Sequence, residues 1–251
     1  MPRTLARPIV ARLALGLALL APGISTAGDV PEVSARETPG LRATQVTIAI
    51  EKDRKRRQFR ATVMARRDDV LTILTAAHCM SDADEDGPAL LLVNGEVVEG
   101  TVLSVVRNPS YKTGQTGEIP GPDNAVARLR FRAGNRPAAE AIDSLRPAPA
   151  LSARSYPGPS GQTVSVRMID GHGVEHAVRA GNYSNPRWLE WGPAYKPIPG
   201  DSGAGVFVMH PGPDGQPRPI LIGIIVGRDD RGGAASLVSR DMPWIAQELP
   251  R

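Results

Sequence analysis

Short runs in which apolar and polar residues alternate are spread along the chain and are separated by turn residues. Alternation with a period of two is the pattern of a β-strand with one buried face. In the first half it predicts strands at 44–50, 58–66 and 69–75, a hairpin over 90–106, and a strand after Asn124. The hairpin is indicated by Asn94–Gly95, a pair typical of tight turns between strands.

The second half repeats the pattern. It predicts six more strands, near 163–169, 174–180, 187–191, 204–209, 219–227 and 234–238. Between the halves, residues 133–154 are rich in Ala, Pro and Arg and predict a connection. Residues 241–249 predict a short closing helix, with Asp241 as its N-cap. Many short strands with Gly and Pro turns predict an all-β protein, of sandwich or barrel class.

The length of 251 residues fits one large β domain or two small ones. Such a chain is long enough to bury a substantial core. Aromatic residues make up only 4% of the chain, so we expect that core to consist of Val, Leu, Ile and Ala.

The first 27 residues have the pattern of a secretory signal. Arg3, Arg7 and Arg12 precede a short apolar run at 13–21, and small residues at 25–27 offer a cleavage site. The apolar run is too short to cross a bilayer. We therefore expect a secreted or periplasmic protein that is free of the membrane after cleavage, with residues 28–43 as a leader or propeptide.

The balance of charged residues does not point to a particular class of partner. Without residues 1–27, 27 basic and 26 acidic residues remain, so the basic sequence pI does not indicate a nucleic-acid partner. Five basic residues between Lys52 and Arg57 predict a solvated hairpin loop. The aromatic residues that stack on nucleic-acid bases do not interleave with them.

Glycines surround Ser202 in the stretch 199–205, which an apolar run follows. Such a turn can expose a serine and aim neighbouring N–H groups at one point, although a plain tight turn has the same letters. His78 ends another strand-like run, and Asp123 opens a third. A serine nucleophile needs a base, and the base needs an orienting group, so these side chains could supply all three roles.

Two of these stretches resemble the motifs of a known family. Leu-Thr-Ala-Ala-His-Cys at 74–79 and Gly-Asp-Ser-Gly at 200–203 are similar to the histidine and serine motifs of the trypsin/chymotrypsin-like serine peptidases. Asp123 with Ala125 and Val126 resembles their aspartate motif, while Asn124 stands where that family usually has an apolar residue. Weaker similarities to motifs of the same family lie at 108–111 and 244–245. The resemblance runs from about residue 44 to the end and is closest to the secreted bacterial members.

The resemblance implies a fold of two six-stranded antiparallel β-barrels with the active site between them and a short C-terminal helix. The first barrel would span about 44–132, the connection 133–154, the second barrel 155–238 and the helix 241–249. It implies a secreted, monomeric serine endopeptidase that acts on proteins or peptides, needs no cofactor and binds no nucleic acid.

Roles follow from the same resemblance. Ser202 would attack the scissile carbonyl, His78 would accept and return the proton, and Asp123 would orient the imidazole. The backbone N–H groups of Gly200 and Ser202 would bind the oxyanion.

The resemblance places the specificity pocket around Lys196, Val226, Gly227 and Arg228. Trypsin-type cleavage after Lys or Arg needs an acid at the pocket base, so Lys196 argues against it. An inward Lys196 or Arg228 would favour an acidic substrate side chain, and outward ones a small or apolar side chain.

Two family features are missing from the sequence. No Ile-Val-Gly-Gly start is present to supply the amine that pairs with the aspartate beside the serine, so Asp201 must find another partner or stay solvated. Cys79 is the only cysteine, so the disulfide that the family usually forms here is absent. We expect Cys79 to be a small buried apolar residue.

Two other stretches match sequence motifs of metal-binding sites. Asp82, Asp84 and Asp86 are spaced as in a calcium loop, although Val93 occupies the position of the closing glutamate, and an acidic surface loop is the alternative. His172-Gly-Val-Glu175-His176 matches a zinc-peptidase motif, but that chemistry needs a helix, and Gly171 and Gly173 favour a hairpin turn. We therefore predict no catalytic metal.

Two other functions stay open from sequence. One is a non-catalytic binding protein on the same two-barrel scaffold. The other is a serine esterase of the Gly-Asp-Ser type, in which the serine comes early and the histidine late. Here Ser202 is late, and only His210 follows it.

Overall fold

The alternating runs form the strands of two barrels in the computed structural model, which describes residues 38, 40–52, 55–112, 122–149, 162–182, 187–228 and 232–250. The predicted signal at 1–27, and the predicted leader apart from Thr38 and residues 40–43, lie outside the described residues. No helix of the described chain is long and apolar enough to cross a membrane.

The first barrel contains six antiparallel strands that close in the order β1-β2-β3-β6-β5-β4. They are β1 (Gln45–Lys52), β2 (Lys55–Arg67), β3 (Val70–Thr75), β4 (Pro88–Val93), β5 (Glu96–Arg107) and β6 (Ala125–Arg132). In the β4–β5 hairpin, Asn94 (φ +50°) and Gly95 (φ +86°) adopt the left-handed backbone of the predicted tight turn.

The second barrel is also closed, in the order β10-β11-β12-β9-β8-β7. Its strands are β7 (Thr163–Ile169), β8 (Glu175–Gly181), β9 (Trp188–Trp191), β10 (Gly205–Pro211), β11 (Pro217–Arg228) and β12 (Gly233–Leu237). The predicted fold class, two six-stranded antiparallel barrels with a short C-terminal helix, is confirmed.

The connection between the barrels contains a helix, α1 (Arg136–Ser144), that the sequence analysis missed. Asn135 caps it by accepting a 2.8 Å hydrogen bond from the Ala138 amide, and Ala138, Ala141 and Ile142 bury one face. The helix has only 9 residues and carries a proline in its first turn, so in the sequence its apolar face is hard to distinguish from the Pro- and Ala-rich connection around it.

The predicted closing helix is present as α2 (Met242–Glu248). Asp241 occupies the N-cap position as predicted, but its side chain makes no capping hydrogen bond. Its carboxylate instead accepts a 2.6 Å hydrogen bond from the Asn124 side-chain amide.

The basic stretch after Lys52 is not a long solvated loop. β1 runs to Lys52 and β2 begins at Lys55, so Arg56 and Arg57 belong to a strand. The Arg57 guanidinium pairs with the buried carboxylate of Asp84 and also donates to the Cys79 carbonyl at 3.3 Å. It therefore serves the fold of the first barrel.

The two barrels share packing. The apolar cluster of the first barrel includes residues from the outer face of the second, namely Ile169, Phe207, Leu221, Ile224 and Val238. Ile245 of α2 is fully buried in the same cluster. The second barrel has a separate interior core built around residues such as Val206, Leu189 and Ile222. Strands at the shared face are consequently buried on both sides, which fixes the side chains that meet there.

Candidate active site

His78 and Asp123 are brought together by two strand ends of the first barrel. His78 follows β3 and Asp123 precedes β6, and these strands pair so that Thr75 lies opposite Ala125. The Nδ1 atom of His78 lies 2.6 Å from Oδ2 of Asp123. The other carboxylate oxygen accepts a 3.0 Å hydrogen bond from the His78 amide. The carboxylate thus fixes both the backbone and the ring of the histidine.

The second barrel helps to hold Asp123. Its amide donates to the hydroxyl of Ser236 on β12 at 3.2 Å, and its carbonyl accepts from the Ala77 amide at 3.2 Å. Ser236 is almost fully buried. Sequence reasoning missed Ser236, because a serine in a predicted strand carries no local signal of a contact 113 residues away.

The environment favours a protonated His78. Burial alone would lower its pKa, but hydrogen bonds with Asp123 and with the neighbouring Cys79, and their charges, raise the pKa of His78 to about 10. The His78 side chain remains 38% exposed, so solvent and a ligand can reach the ring.

Ser202 lies on a turn whose backbone favours glycine at two positions. Gly200 (φ +103°) and Gly203 (φ +90°) flank it in the left-handed region. A methyl group at Gly203 would lie 1.9 Å from the Arg60 carbonyl oxygen and 2.1 Å from the Thr75 hydroxyl. The turn therefore packs directly on strands β2 and β3 of the first barrel.

Further bonds place Ser202 beside the histidine segment. Its carbonyl accepts a 2.8 Å hydrogen bond from the Arg60 amide, and the Gly203 amide donates to Ile225 on β11 at 2.8 Å. Thr75, which touches Gly203, lies three residues before His78. Across the described residues, however, no hydrogen bond joins the Ser202 hydroxyl to the His78 imidazole. Such contacts often tighten only when a substrate binds.

The two backbone amides proposed to bind an oxyanion are not occupied by hydrogen bonds within the described part of the chain. Within the described part of the chain, neither the Gly200 nor the Ser202 amide donates a hydrogen bond. Both residues are only half-buried. Adjacent amides of a rigid turn that lack an internal acceptor can bind a negatively charged oxygen.

Of the two alternatives left open for Asp201, another partner or solvation, the structure shows partners. It is completely buried. Oδ1 accepts from the Gly171 amide at 2.6 Å, and Oδ2 accepts from the Tyr195 hydroxyl and the Ile198 amide, each at 2.7 Å. Burial and the Asp201 carboxylate raise the pKa of Tyr195, so its hydroxyl keeps its proton and donates.

Arg60 lies beneath the same turn, with only 7% of the residue exposed. Its Nη1 donates to the Asp170 carbonyl at 2.8 Å. Burial lowers the pKa of Arg60, and the nearby charges of Asp201 and Asp170 oppose that effect. Sequence reasoning missed this buried cation, because Arg60 occupies a polar position of an alternating strand.

The His172–His176 stretch forms a hairpin turn whose polar groups bind the Asp170 carboxylate. The Asp170 carboxylate accepts from the amides of His172 (2.9 Å) and Val174 (2.8 Å) and lies 2.8 Å from Nε2 of His176. Burial would raise the pKa of Asp170, but these hydrogen bonds, led by that of His176, lower it. The Glu175 carboxylate points elsewhere, to Arg167 at 2.5 Å. The prediction that Glu175 and His176 take opposite faces of a strand is confirmed.

Asn124, the residue after Asp123, has a structural partner of its own. It is fully buried, and its amide donates to Asp241 at the start of α2. The residue after Asp123 is thus tied to the C-terminal helix. Burial raises the pKa of Asp241, while hydrogen bonds from Asn124 and Asn108 partly offset that effect.

The four predicted pocket residues are all at least partly accessible. Lys196 and Arg228 are exposed, and Val226 and Gly227 are half-buried. Arg228 pairs with Gly233 across β11 and β12. A methyl group at Gly233 would lie 2.4 Å from the Trp191 ring, so that ring fills the volume next to Gly233.

The predicted calcium residues take separate roles. Asp84 is buried, binds Arg57, and accepts from the Ser81 amide at 2.7 Å. Asp82 and Asp86 are exposed. The described residues contain no group of three or more His, Cys, Asp or Glu side chains arranged to hold a metal ion. The calcium site stays a prediction, which a shift of melting temperature on calcium addition would test.

No protein-family model matches the chain, and no curated protein matches it.

Proposed function

We propose that this protein is an exported serine endopeptidase that cleaves peptide bonds through Ser202, His78 and Asp123. The observation that carries the proposal is the 2.6 Å contact between His78 Nδ1 and Asp123 Oδ2 beside a glycine turn that presents Ser202. This arrangement has the base and its orienting group in place, with a hydroxyl on the neighbouring segment.

In the proposed mechanism the Ser202 hydroxyl attacks the scissile carbonyl carbon and gives its proton to Nε2 of a neutral His78. The resulting oxyanion is bound by the amides of Gly200 and Ser202. The imidazolium, stabilised by Asp123, then protonates the leaving amine, and an acyl-enzyme forms. Water attacks the ester by the same route in reverse and regenerates Ser202.

The charges around the pocket residues support a preference against basic side chains. Lys196 and Arg228 are both cationic and exposed, so they would repel an Arg or Lys of the substrate. A small or acidic residue before the cleaved bond is therefore the expected substrate.

Hydrolysis of quenched fluorescent peptides tests both parts of the proposal. Peptides with Ala, Glu or Arg before the cleaved bond are compared for the wild type, Ser202→Ala and His78→Ala. We expect cleavage by the wild type only, fastest for Ala or Glu. Fastest cleavage after Arg would refute the pocket argument, and equal cleavage by Ser202→Ala would refute the mechanism. Hydrolysis of simple esters without peptide cleavage would favour an esterase.

One observation favours a second candidate, a binding protein on the same scaffold. The described residues show no hydrogen bond from the Ser202 hydroxyl to His78. A protein that binds peptides in the groove without cleaving them would need no such contact. Peptide binding with equal affinity by the wild type and Ser202→Ala, and no turnover by either, would support this candidate.

A further inference from the structure

The turn that carries Ser202 is anchored by a buried anion. Asp201 is adjacent to Ser202 and completely buried, and its three hydrogen-bond donors, from Gly171, Tyr195 and Ile198, are all neutral. A carboxylate in such a place is costly unless an opposite charge lies near it. The compensating charge must come from another part of the fold.

Arg60 is in position to provide that charge. It lies in the middle of β2, and the residue is buried. Its Nη1 donates to the Asp170 carbonyl, and the next amide along the chain, that of Gly171, donates to Oδ1 of Asp201, so the charge of Arg60 acts on both Asp170 and Asp201. The other charged and titratable groups that face it are Arg42 before β1 and Tyr195 below the turn, with His176 on β8 beyond Asp170. One guanidinium nitrogen holds the Asp170 carbonyl, while Nε has no partner among the described residues. One buried N–H group of the guanidinium is therefore left without a hydrogen-bond acceptor among the described residues.

Arg60 also contacts the turn through its backbone. Its amide donates to the Ser202 carbonyl at 2.8 Å, and its own carbonyl accepts from the Thr75 hydroxyl at 2.8 Å. The same residue thus holds the backbone of Ser202 through its amide and places a buried cation one peptide away from the donor of Asp201.

We propose that Arg60 is a positioning residue for the serine site, whose charge holds Asp201 and thereby the Gly200 and Ser202 amides in the oxyanion-binding arrangement. This inference rests on the proposed function. It assigns the charge that compensates Asp201 to a strand of the first barrel and not to a chain end. Arg60 acts through Asp201 and touches no reacting atom.

The test compares three arginine variants with the wild type. Arg60→Met removes the charge and keeps much of the length, and Arg60→Lys restores a cation. Arg66→Met is the matched control, since Arg66 lies on the same strand and binds the Ile142 carbonyl at 3.1 Å and Asp143 at 2.7 Å, away from the turn. The readouts are the melting temperature and the second-order rate constant for labelling of Ser202 by a fluorophosphonate.

We expect Arg60→Met to be labelled about 10- to 100-fold more slowly than the wild type, since small displacements of a positioned site have effects of that size. Arg60→Lys should recover most of the rate. Arg66→Met should keep the wild-type rate even if its melting temperature falls. A folded Arg60→Met that is labelled at the wild-type rate would overturn the inference.

If Arg60→Met does not fold, the labelling rate of Arg60→Lys is compared with that of Tyr195→Phe, which tests the Asp201 anchor on which the inference depends. Tyr195→Phe removes only the hydroxyl that donates to Asp201. Slower labelling of folded Tyr195→Phe supports the role of the Asp201 anchor, and an unchanged rate overturns it. A wild type that is never labelled at Ser202 instead overturns the proposed function itself, so the two failures are distinguishable.

Discussion

Gly203 shows how tightly the serine turn is constrained at the level of one residue. Its positive φ strains any other residue, and its missing side chain leaves room for the Arg60 carbonyl and the Thr75 hydroxyl. Gly95 has nearly the same φ but open space around it. A substitution at Gly95 therefore costs only backbone strain, whereas one at Gly203 costs backbone strain and a steric collision.

Alanine at each glycine tests this difference. Gly95→Ala should lower the free energy of unfolding by about 1–2 kcal/mol, the cost of a left-handed backbone. Gly203→Ala should cost at least about 3 kcal/mol, because strain and backbone collision add. Urea denaturation followed by circular dichroism measures both. Equal losses would contradict the close packing at Gly203.

The pH dependence of labelling tests the environment of His78. Because its pKa is raised to about 10, the ring is protonated below that pH and cannot accept a proton from Ser202. The fluorophosphonate rate constant should therefore rise about tenfold per pH unit at neutral pH and level off only near pH 10. Ser202→Ala measures the background reaction.

Asp123→Asn gives the matched comparison. Without the carboxylate the pH at which the rate levels off should shift downward, and the plateau should fall by about 10⁴-fold, because the imidazole loses its orientation. A wild-type plateau already reached at pH 7 would contradict the assigned environment of His78.

At the level of elements, the positions of the strands could be predicted from the sequence, but the burial of their outer faces could not. Alternation located all twelve strands to within a few residues, because each has one face in a barrel interior. The same rule assigns Arg60 to a solvent face. It fails there because the second barrel covers the outer surface of β2, so Phe59 and Arg60 are both buried. Single-strand periodicity carries no information about which outer faces a second barrel will cover.

Helices show the same limit. The C-terminal helix was predicted, but α1 was missed because it is short and lies in a Pro- and Ala-rich connection. The link from Asn124 to Asp241 was also missed, since it joins residues 117 apart. The motifs of His78, Asp123 and Ser202 could be recognised in the sequence because each residue lies close to the end of a strand. The supporting contacts of Ser236, Arg60 and Tyr195 depend on the packing of both barrels.

Asn124→Ala tests whether α2 supports the site. Loss of a buried hydrogen bond to a carboxylate should lower the free energy of unfolding by about 1–3 kcal/mol. The labelling rate should also fall, because Asn124 follows Asp123. Asn135→Ala is the control, since it removes the cap of α1 and should cost about 1 kcal/mol without changing the labelling rate. Equal labelling rates for both variants would show that the link is only structural.

At the level of the whole molecule, Cys79 reports on the integrity of the first barrel. It is a free thiol, as predicted, and only 7% exposed, with its carbonyl held by Arg57. It adjoins His78, so its exposure requires local opening of the site region.

A thiol reagent should therefore react at least about 100-fold more slowly with the native protein than with the protein in denaturant, since opening must come first. Absorbance after addition of Ellman's reagent measures this. The thiol should become reactive in the same urea range as the loss of circular dichroism. Fast reaction with the fully native protein would contradict the packing of the histidine segment.

The central claim, that Ser202 is an activated nucleophile, is tested most directly by locating a fluorophosphonate adduct by peptide mass mapping. The account predicts one adduct, on the peptide that contains Ser202, in the native protein near pH 10. It predicts none in Ser202→Ala or after denaturation. A correctly folded native protein that gains no adduct at Ser202 anywhere between pH 7 and 10 would contradict the account.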